Sequence, residues 1–73
     1  MIPPAPAQWP GLDGNAVGCR EKLKVLAENY AEVAQVLQDA FEDAVLMGVE
    51  EQAMRRVLAD VVAGLVSPKR PGR

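Results

Sequence analysis

The side chains that could carry out chemistry are few. The sequence has no histidine, and Cys19 and Ser67 are its only cysteine and its only serine. Acid–base and nucleophilic catalysis usually need a histidine or another base beside the nucleophile. The common zinc sites need Cys and His ligands, and no glycine-rich phosphate loop of known spacing is present. We therefore expect a protein that is not an enzyme and that binds no metal or cofactor.

Cys19 is the candidate nucleophile. Arg20 and Lys22 stand close to it, and a helix is expected to begin nearby. A positive charge and a helix N-terminus both lower the pKa of a thiol. A cysteine without a neighbouring base is more often inert, however. We expect no reaction at Cys19 and keep a reactive thiol as the alternative.

Acidic residues dominate the middle of the chain. The span from Val25 to Met54 contains no Lys or Arg and seven acids, which are Glu28, Glu32, Asp39, Glu42, Asp43, Glu50 and Glu51. One interpretation is a solvated face that keeps the protein in solution. The other is a docking surface for a partner with a basic surface, with Glu32, Asp39 and Asp43 in the contact.

Basic residues stand at two other places. Arg20, Lys22 and Lys24 come before the acidic span, and Lys69, Arg70 and Arg73 lie at the end of the chain. Either group could contact nucleic-acid phosphates, but the formal net charge is −2 and no basic face is evident. Nucleic-acid binding is therefore an alternative rather than the first hypothesis.

One long helix would position these residues. Numbered as heptads from Leu23, the a, d and e positions up to Met47 are all apolar or amphipathic. They are Leu23, Leu26, Ala27, Tyr30, Val33, Ala34, Leu37, Ala40, Phe41, Ala44 and Met47. This repeat predicts a helix with one unbroken apolar stripe.

The predicted helix runs from about residue 16 to residue 47. Asn15 or Gly18 would cap its start, and Gly48 would end it in the left-handed conformation. A second helix, from about 49 to 66, is predicted from apolar residues at helical spacing and should end at Ser67-Pro68. Those apolar residues are Met54, Val57, Leu58, Val61 and Leu65.

The short connection at Gly48 favours an all-α fold, an antiparallel helical hairpin, with a steep corner between the helices as the alternative. Residues 1–14 contain four prolines and two glycines and should form an extended, Pro-rich arm. Residues 15–66 would then be the helical hairpin domain, and residues 67–73 a disordered basic tail.

The two predicted helices differ in length. Folded back, the second can cover only the C-terminal part of the first, so the stripe from Leu23 to Tyr30 needs another cover. The candidates are the arm, through Trp9 and Leu12, a second copy of the chain, or a different protein. Aromatic residues such as Trp9 are also frequent anchors in partner pockets. We therefore expect Trp9, Leu12, Leu26 and Tyr30 in the partner contact.

A domain of 73 residues is marginally stable alone, and with one cysteine it can form no internal disulfide. We expect a small non-enzymatic protein-interaction module or regulator that docks on a larger partner protein as a homodimer. The alternatives are a small nucleic-acid-binding transcription regulator, or an inhibitor of host transcription machinery of the phage or plasmid type.

The apolar residues also bear on the location of the protein. The longest apolar run, from Val61 to Val66, is too short to span a bilayer. Prolines interrupt the N-terminal segment, which lacks the basic start of a secretory signal. We therefore expect a cytoplasmic protein that does not contact membranes.

Overall fold

The computed structural model describes residues 1–69. It contains two helices, α1 (Arg20–Leu46) and α2 (Glu51–Ala63). Among the described residues there is no strand, and one isolated antiparallel bridge joins Pro10 and Ala16. The predicted all-α helical hairpin is confirmed. Of the basic tail predicted at 67–73, residues 70–73 lie outside the described part of the chain.

The chain divides into two compact units within α1. The first unit is Met1–Val36, and the second begins at Leu37. The first therefore consists of the N-terminal arm and the first part of α1. The second consists of the rest of α1, the turn and α2.

α1 begins about four residues later than predicted, at Arg20 rather than near residue 16. The preceding backbone is engaged elsewhere, since the Val17 N–H donates to the Trp9 carbonyl at 2.8 Å and Ala16 forms the bridge with Pro10. The first helical hydrogen bond runs from the Leu23 N–H to the Cys19 carbonyl, at 2.9 Å. Cys19 is therefore the N-cap, and the predictions of Asn15 or Gly18 as the cap were wrong.

Gly48 ends α1 as predicted. Its φ is +103°, a region in which a side chain is strained. The Gly48 N–H donates to the Val45 carbonyl at 3.0 Å, and the Val49 N–H donates to the Ala44 carbonyl at 2.9 Å. These are the two hydrogen bonds of a Schellman motif, so the end of α1 is defined by this glycine.

α2 is shorter than predicted at both ends. Glu50 is its N-cap, and the Glu50 carboxylate accepts hydrogen bonds from the N–H groups of Gln52 and Ala53, both at 2.9 Å. At the other end Gly64 is the C-cap, and its N–H donates to the Asp60 carbonyl at 3.0 Å. Glycine is a poor helix former, so α2 ends at Ala63, before the predicted stop at Ser67-Pro68.

No described residue is buried. The apolar stripe of α1 is nevertheless its least exposed side, because eight of the eleven stripe residues are half-buried and only Ala27, Val33 and Met47 are exposed. In α2 the half-buried residues are Ala53, Met54 and Leu58. The stripe is thus the packing face, but it is only partly covered.

Candidate interaction surfaces

The N-terminal arm contacts α1 through an aromatic pair. The rings of Trp9 and Tyr30 meet edge to face, with centroids 6.5 Å apart and planes at 73°, a favoured geometry for aromatic rings. The Tyr30 hydroxyl also donates a hydrogen bond to the backbone carbonyl of Pro3. Both aromatic side chains are half-buried. One side chain of α1 therefore holds the arm at two points.

A tight turn positions Trp9 against α1. The Trp9 carbonyl accepts from the Val17 N–H, and the Gly11 N–H donates to the Asn15 carbonyl, both at 2.8 Å. Gly14 has a φ of +87°, and a Cβ on Gly11 would lie 2.5 Å from the Asn15 carbonyl oxygen. The turn therefore needs glycine at both positions, and it brings the arm back to the start of α1.

Leu12 lies in this turn and faces solvent. It is 90% exposed, so it covers no part of α1, and the aromatic cover of Tyr30 comes from Trp9. The sequence suggested two roles for Leu12, covering the stripe or contacting a partner. Its exposure excludes the first role, and the partner contact stays a prediction.

An apolar groove lies beside the turn, with a volume of about 400 Å³. It is lined by Val17, Glu21, Lys22, Val25 and Leu26. Leu26 is half-buried, whereas Val25 is 53% exposed. The stripe from Leu23 to Tyr30 is thus covered by the arm at Tyr30 and open to solvent beside Leu26.

The acidic residues predicted to contact a partner are all exposed on α1. Glu32 belongs to the first unit, and Asp39 and Asp43, one helical turn apart, belong to the second. Nearby, the Gln38 side-chain amide donates to the Glu42 carboxylate at 2.8 Å. The structure therefore leaves each of these carboxylates at the surface of its unit.

The basic residues at the start of α1 do not share one side of the helix. Arg20 and Lys24 are one turn apart, whereas Lys22 lies on the opposite side by helical register. All three are exposed. α1 therefore has no continuous basic face among these residues.

Cys19 is exposed at the N-terminus of α1. Hydrogen bonds from the backbone N–H groups of Lys22 and then of Glu21 lower the pKa of the thiol, and the charge of Lys22 lowers it further. A depression of about 500 Å³ adjoins the thiol and is lined mainly by the turn that follows Trp9. The sequence anticipated a lowered pKa at Cys19, and the helix N-terminus is its main physical cause.

A contact between α1 and α2 within the second unit was not predicted from the sequence. The guanidinium carbon of Arg55 in α2 lies 4.6 Å from the centroid of the Phe41 ring in α1, within the range of a cation–π interaction. The sequence offered a stripe residue at Phe41 and a cation in the second helix. Their pairing depends on the geometry of the turn between them, which spacing alone does not give.

Much of the apolar surface of α2 stays exposed. Met54 and Leu58 are half-buried, whereas Val57 and Val61 are 51% and 60% exposed. Leu65, predicted as part of the same face, lies after the end of α2 and is 74% exposed. The apolar spacing predicted for the second helix is present, but less than half of that face is covered within its unit.

Two further features bear on function. Neither helix among residues 1–69 is long and apolar enough to cross a lipid bilayer. The same residues bring together no group of three or more His, Cys, Asp or Glu side chains able to hold a metal ion.

Comparisons of the chain with models of protein families, with curated proteins and with solved structures found no match.

Proposed function

We propose that the protein is a small non-enzymatic interaction module that docks on a larger protein and acts as a homodimer. The observation that carries this proposal is the absence of any buried residue among those described, together with large apolar side chains that remain exposed on both units. Exposed apolar patches of this kind mark sites of association. A chain with so little core gains stability when a partner covers them.

The surface we assign to the larger partner is in the first unit. Leu12 is exposed in the turn, and the apolar groove lined by Leu26 also includes Val17, the last residue of that turn. The contact of Trp9 with Tyr30 fixes the turn against α1. A fixed turn loses little conformational freedom when it binds, which favours affinity.

The acidic residues suggest the charge of that partner. Glu32 is exposed in the same unit as Leu12, and α1 has no basic residue after Lys24. Complementary charge speeds association and disfavours the wrong partners. We therefore propose a partner whose docking surface is apolar at its centre and basic where it meets Glu32.

Nucleic acid fits this surface less well. The cations at the start of α1 lie on different sides of the helix, and the formal net charge of the chain is −2. Binding to a phosphate backbone would need several cations on one face and would weaken steeply with salt. A nucleic-acid gel shift at low salt tests this alternative, and we expect no complex.

Affinity capture tests the proposal directly. The tagged chain should recover one larger protein from the source cell, identified by mass spectrometry. Leu12→Asp should abolish recovery, because a charge at the centre of an apolar contact is costly. Val36→Asp is the matched control, since Val36 is also an exposed apolar residue of the first unit, at 66%.

Two results would count against the docking surface. If no protein is recovered above the tag alone, the chain has no larger partner under these conditions and the proposal is wrong. If both variants recover the partner as well as the natural sequence does, the contact lies elsewhere than the turn and groove.

A further inference from the structure

Residues 1–7, here called the strap, are the proline-rich start of the arm. Pro3, Pro4 and Pro6 each fix their own φ, and each keeps the residue before it extended. The three prolines are exposed, whereas Ala5 is half-buried and Ile2 is 38% exposed. The polyproline II conformation repeats about every three residues, so Ile2 and Ala5 share one side. The strap therefore rests on the rest of the chain with that side and leaves its prolines in solvent.

The strap is held by a contact that does not depend on its side chains. The Tyr30 hydroxyl donates to the Pro3 carbonyl, which is a backbone atom. A polyproline II segment forms no internal hydrogen bonds, so its carbonyls are free to accept. No residue of the strap is buried. Another proline-rich segment of the same backbone shape offers Tyr30 the same acceptor.

The aromatic pair against which the strap lies is held in place without it. The Trp9 carbonyl accepts from the Val17 N–H at 2.8 Å, and Pro10 forms a bridge with Ala16. Tyr30 lies within α1, and its ring meets that of Trp9 edge to face. If the strap leaves, the turn and α1 therefore still hold the two rings.

We infer that Trp9 and Tyr30 form a binding site for a proline-rich segment in the polyproline II conformation, and that the strap occupies this site in the structure. Aromatic side chains are the usual partners of such segments, whose preformed shape loses little entropy on binding. Tyr30 lies one helical turn after Leu26, so the site continues the groove assigned to the larger partner. The segment then belongs to that partner, and this inference rests on the proposed docking function.

The strap competes with any incoming segment. Because it is part of the same chain, its effective concentration at the site is in the millimolar range. A free peptide must displace it and should bind the natural sequence weakly. A partner that also contacts the groove gains the additional affinity that displacement requires.

A peptide of residues 1–7, titrated into the chain and followed by the fluorescence of Trp9, tests the site. In a variant with glycine in place of Pro3, Pro4 and Pro6, the strap loses its preformed shape and should vacate the site. The peptide should bind this open variant at least about ten times more tightly than the natural sequence. Pro68→Gly is the matched control, because Pro68 is an exposed proline of the second unit, and it should bind the peptide as weakly as the natural sequence.

Two further measurements test how the peptide is recognised. A peptide with glycine in place of its three prolines should not bind the open variant, since it must lose much more conformational freedom. Adding Tyr30→Phe to the open variant should weaken binding of the proline peptide about three- to tenfold, because the ring remains and one hydrogen bond is lost.

The outcomes separate the site from the wider docking function. If the open variant binds no peptide at millimolar concentration, or binds both peptides equally, the site is not selective for polyproline and the inference is wrong. Capture of a larger protein that depends on Leu12 would still support docking in that case.

The source of the segment is tested separately. Excess proline peptide should reduce capture of the larger protein, and capture that persists unchanged would show that the partner does not use this site. If the natural sequence is a dimer in sedimentation equilibrium and the open variant is a monomer, the segment comes from a second copy, and its assignment to the larger partner is wrong.

Discussion

At the scale of single residues, Tyr30 is the link between the arm and α1. It contacts Trp9 with its ring and Pro3 with its hydroxyl. Tyr30→Phe should weaken arm docking by about 0.5–1.5 kcal/mol, the net contribution of one hydrogen bond. Tyr30→Ala should release the arm, because it also removes the ring contact.

The fluorescence of Trp9 reports directly on whether the arm is docked on α1, since Trp9 is the only tryptophan. Its fluorescence emission should shift to the red in Tyr30→Ala, towards that of the unfolded chain, and should change little in Tyr30→Phe. An emission maximum in Tyr30→Ala equal to that of the natural sequence would show that the arm does not depend on Tyr30.

Cys19 is the other residue whose environment makes a measurable prediction. The backbone N–H groups of Lys22 and Glu21 lower the pKa of its thiol in the folded chain. The folded state therefore binds this proton less tightly than the unfolded state, whose thiol has a pKa of about 8.5. The resulting stability is fully present above that value and is lost as the pH falls through the lower folded pKa.

Thermal unfolding at a series of pH values tests this sign. The stability of the natural sequence relative to Cys19→Ser should increase as the pH rises through the titration range of the thiol. Serine retains a capping oxygen but does not titrate in that range. A constant difference across the series would mean that the thiolate receives no stabilisation from the helix N-terminus.

At the scale of the elements, two glycines end the two helices by different means. Gly48 has a φ of +103°, whereas Gly64 has a φ of −85°. Gly48→Ala should cost about 1–2 kcal/mol, because alanine is strained in the left-handed region. Gly64→Ala should be neutral or stabilising, since a Cβ there would approach no nearer than 3.4 Å, to the Asp60 carbonyl oxygen, and alanine favours helix.

Urea unfolding followed by circular dichroism compares the two variants. Gly64→Ala serves as the control for removing a glycine from a helix end without changing its backbone region. Equal stability of both variants would contradict the assignment of Gly48 as the residue that sets the turn.

How much of the two helices could be predicted depends on whether each boundary is set by residues close in the sequence. The stripe of α1 and its end at Gly48 follow from local spacing and from a glycine that completes a local motif, so both were predicted correctly. The start of α1 depends on Val17 pairing with Trp9, a contact that spacing within the helix does not reveal. The early end of α2 at Gly64 was missed because the stronger signal of Ser67-Pro68 was taken as the stop.

The candidate surfaces were predictable to a similar degree. The mismatch of helix lengths pointed to the stripe near Tyr30 as needing cover, and the structure places Trp9 there. The direction of Leu12 depends on the turn at Gly11 and Gly14, so its exposure could not be inferred. The cation–π contact of Arg55 with Phe41 depends on how the turn orients α2.

At the scale of the whole molecule, no described residue is buried, so we predict that the stability of the chain depends on association. Small domains rarely gain more than a few kcal/mol from one core, and here the stripe of α1 is only half-covered. If the proposed homodimer provides the missing burial, folding and dimerisation are linked, and the midpoint of thermal unfolding depends on concentration.

The shift of the unfolding midpoint with protein concentration can be estimated. A hundredfold dilution should lower the unfolding midpoint by about 5–10 °C, since the lost association energy is shared between two chains of this length. A midpoint that stays constant on dilution of the natural sequence would mean that each chain is stable alone, and that a second copy is not needed to hold the fold together.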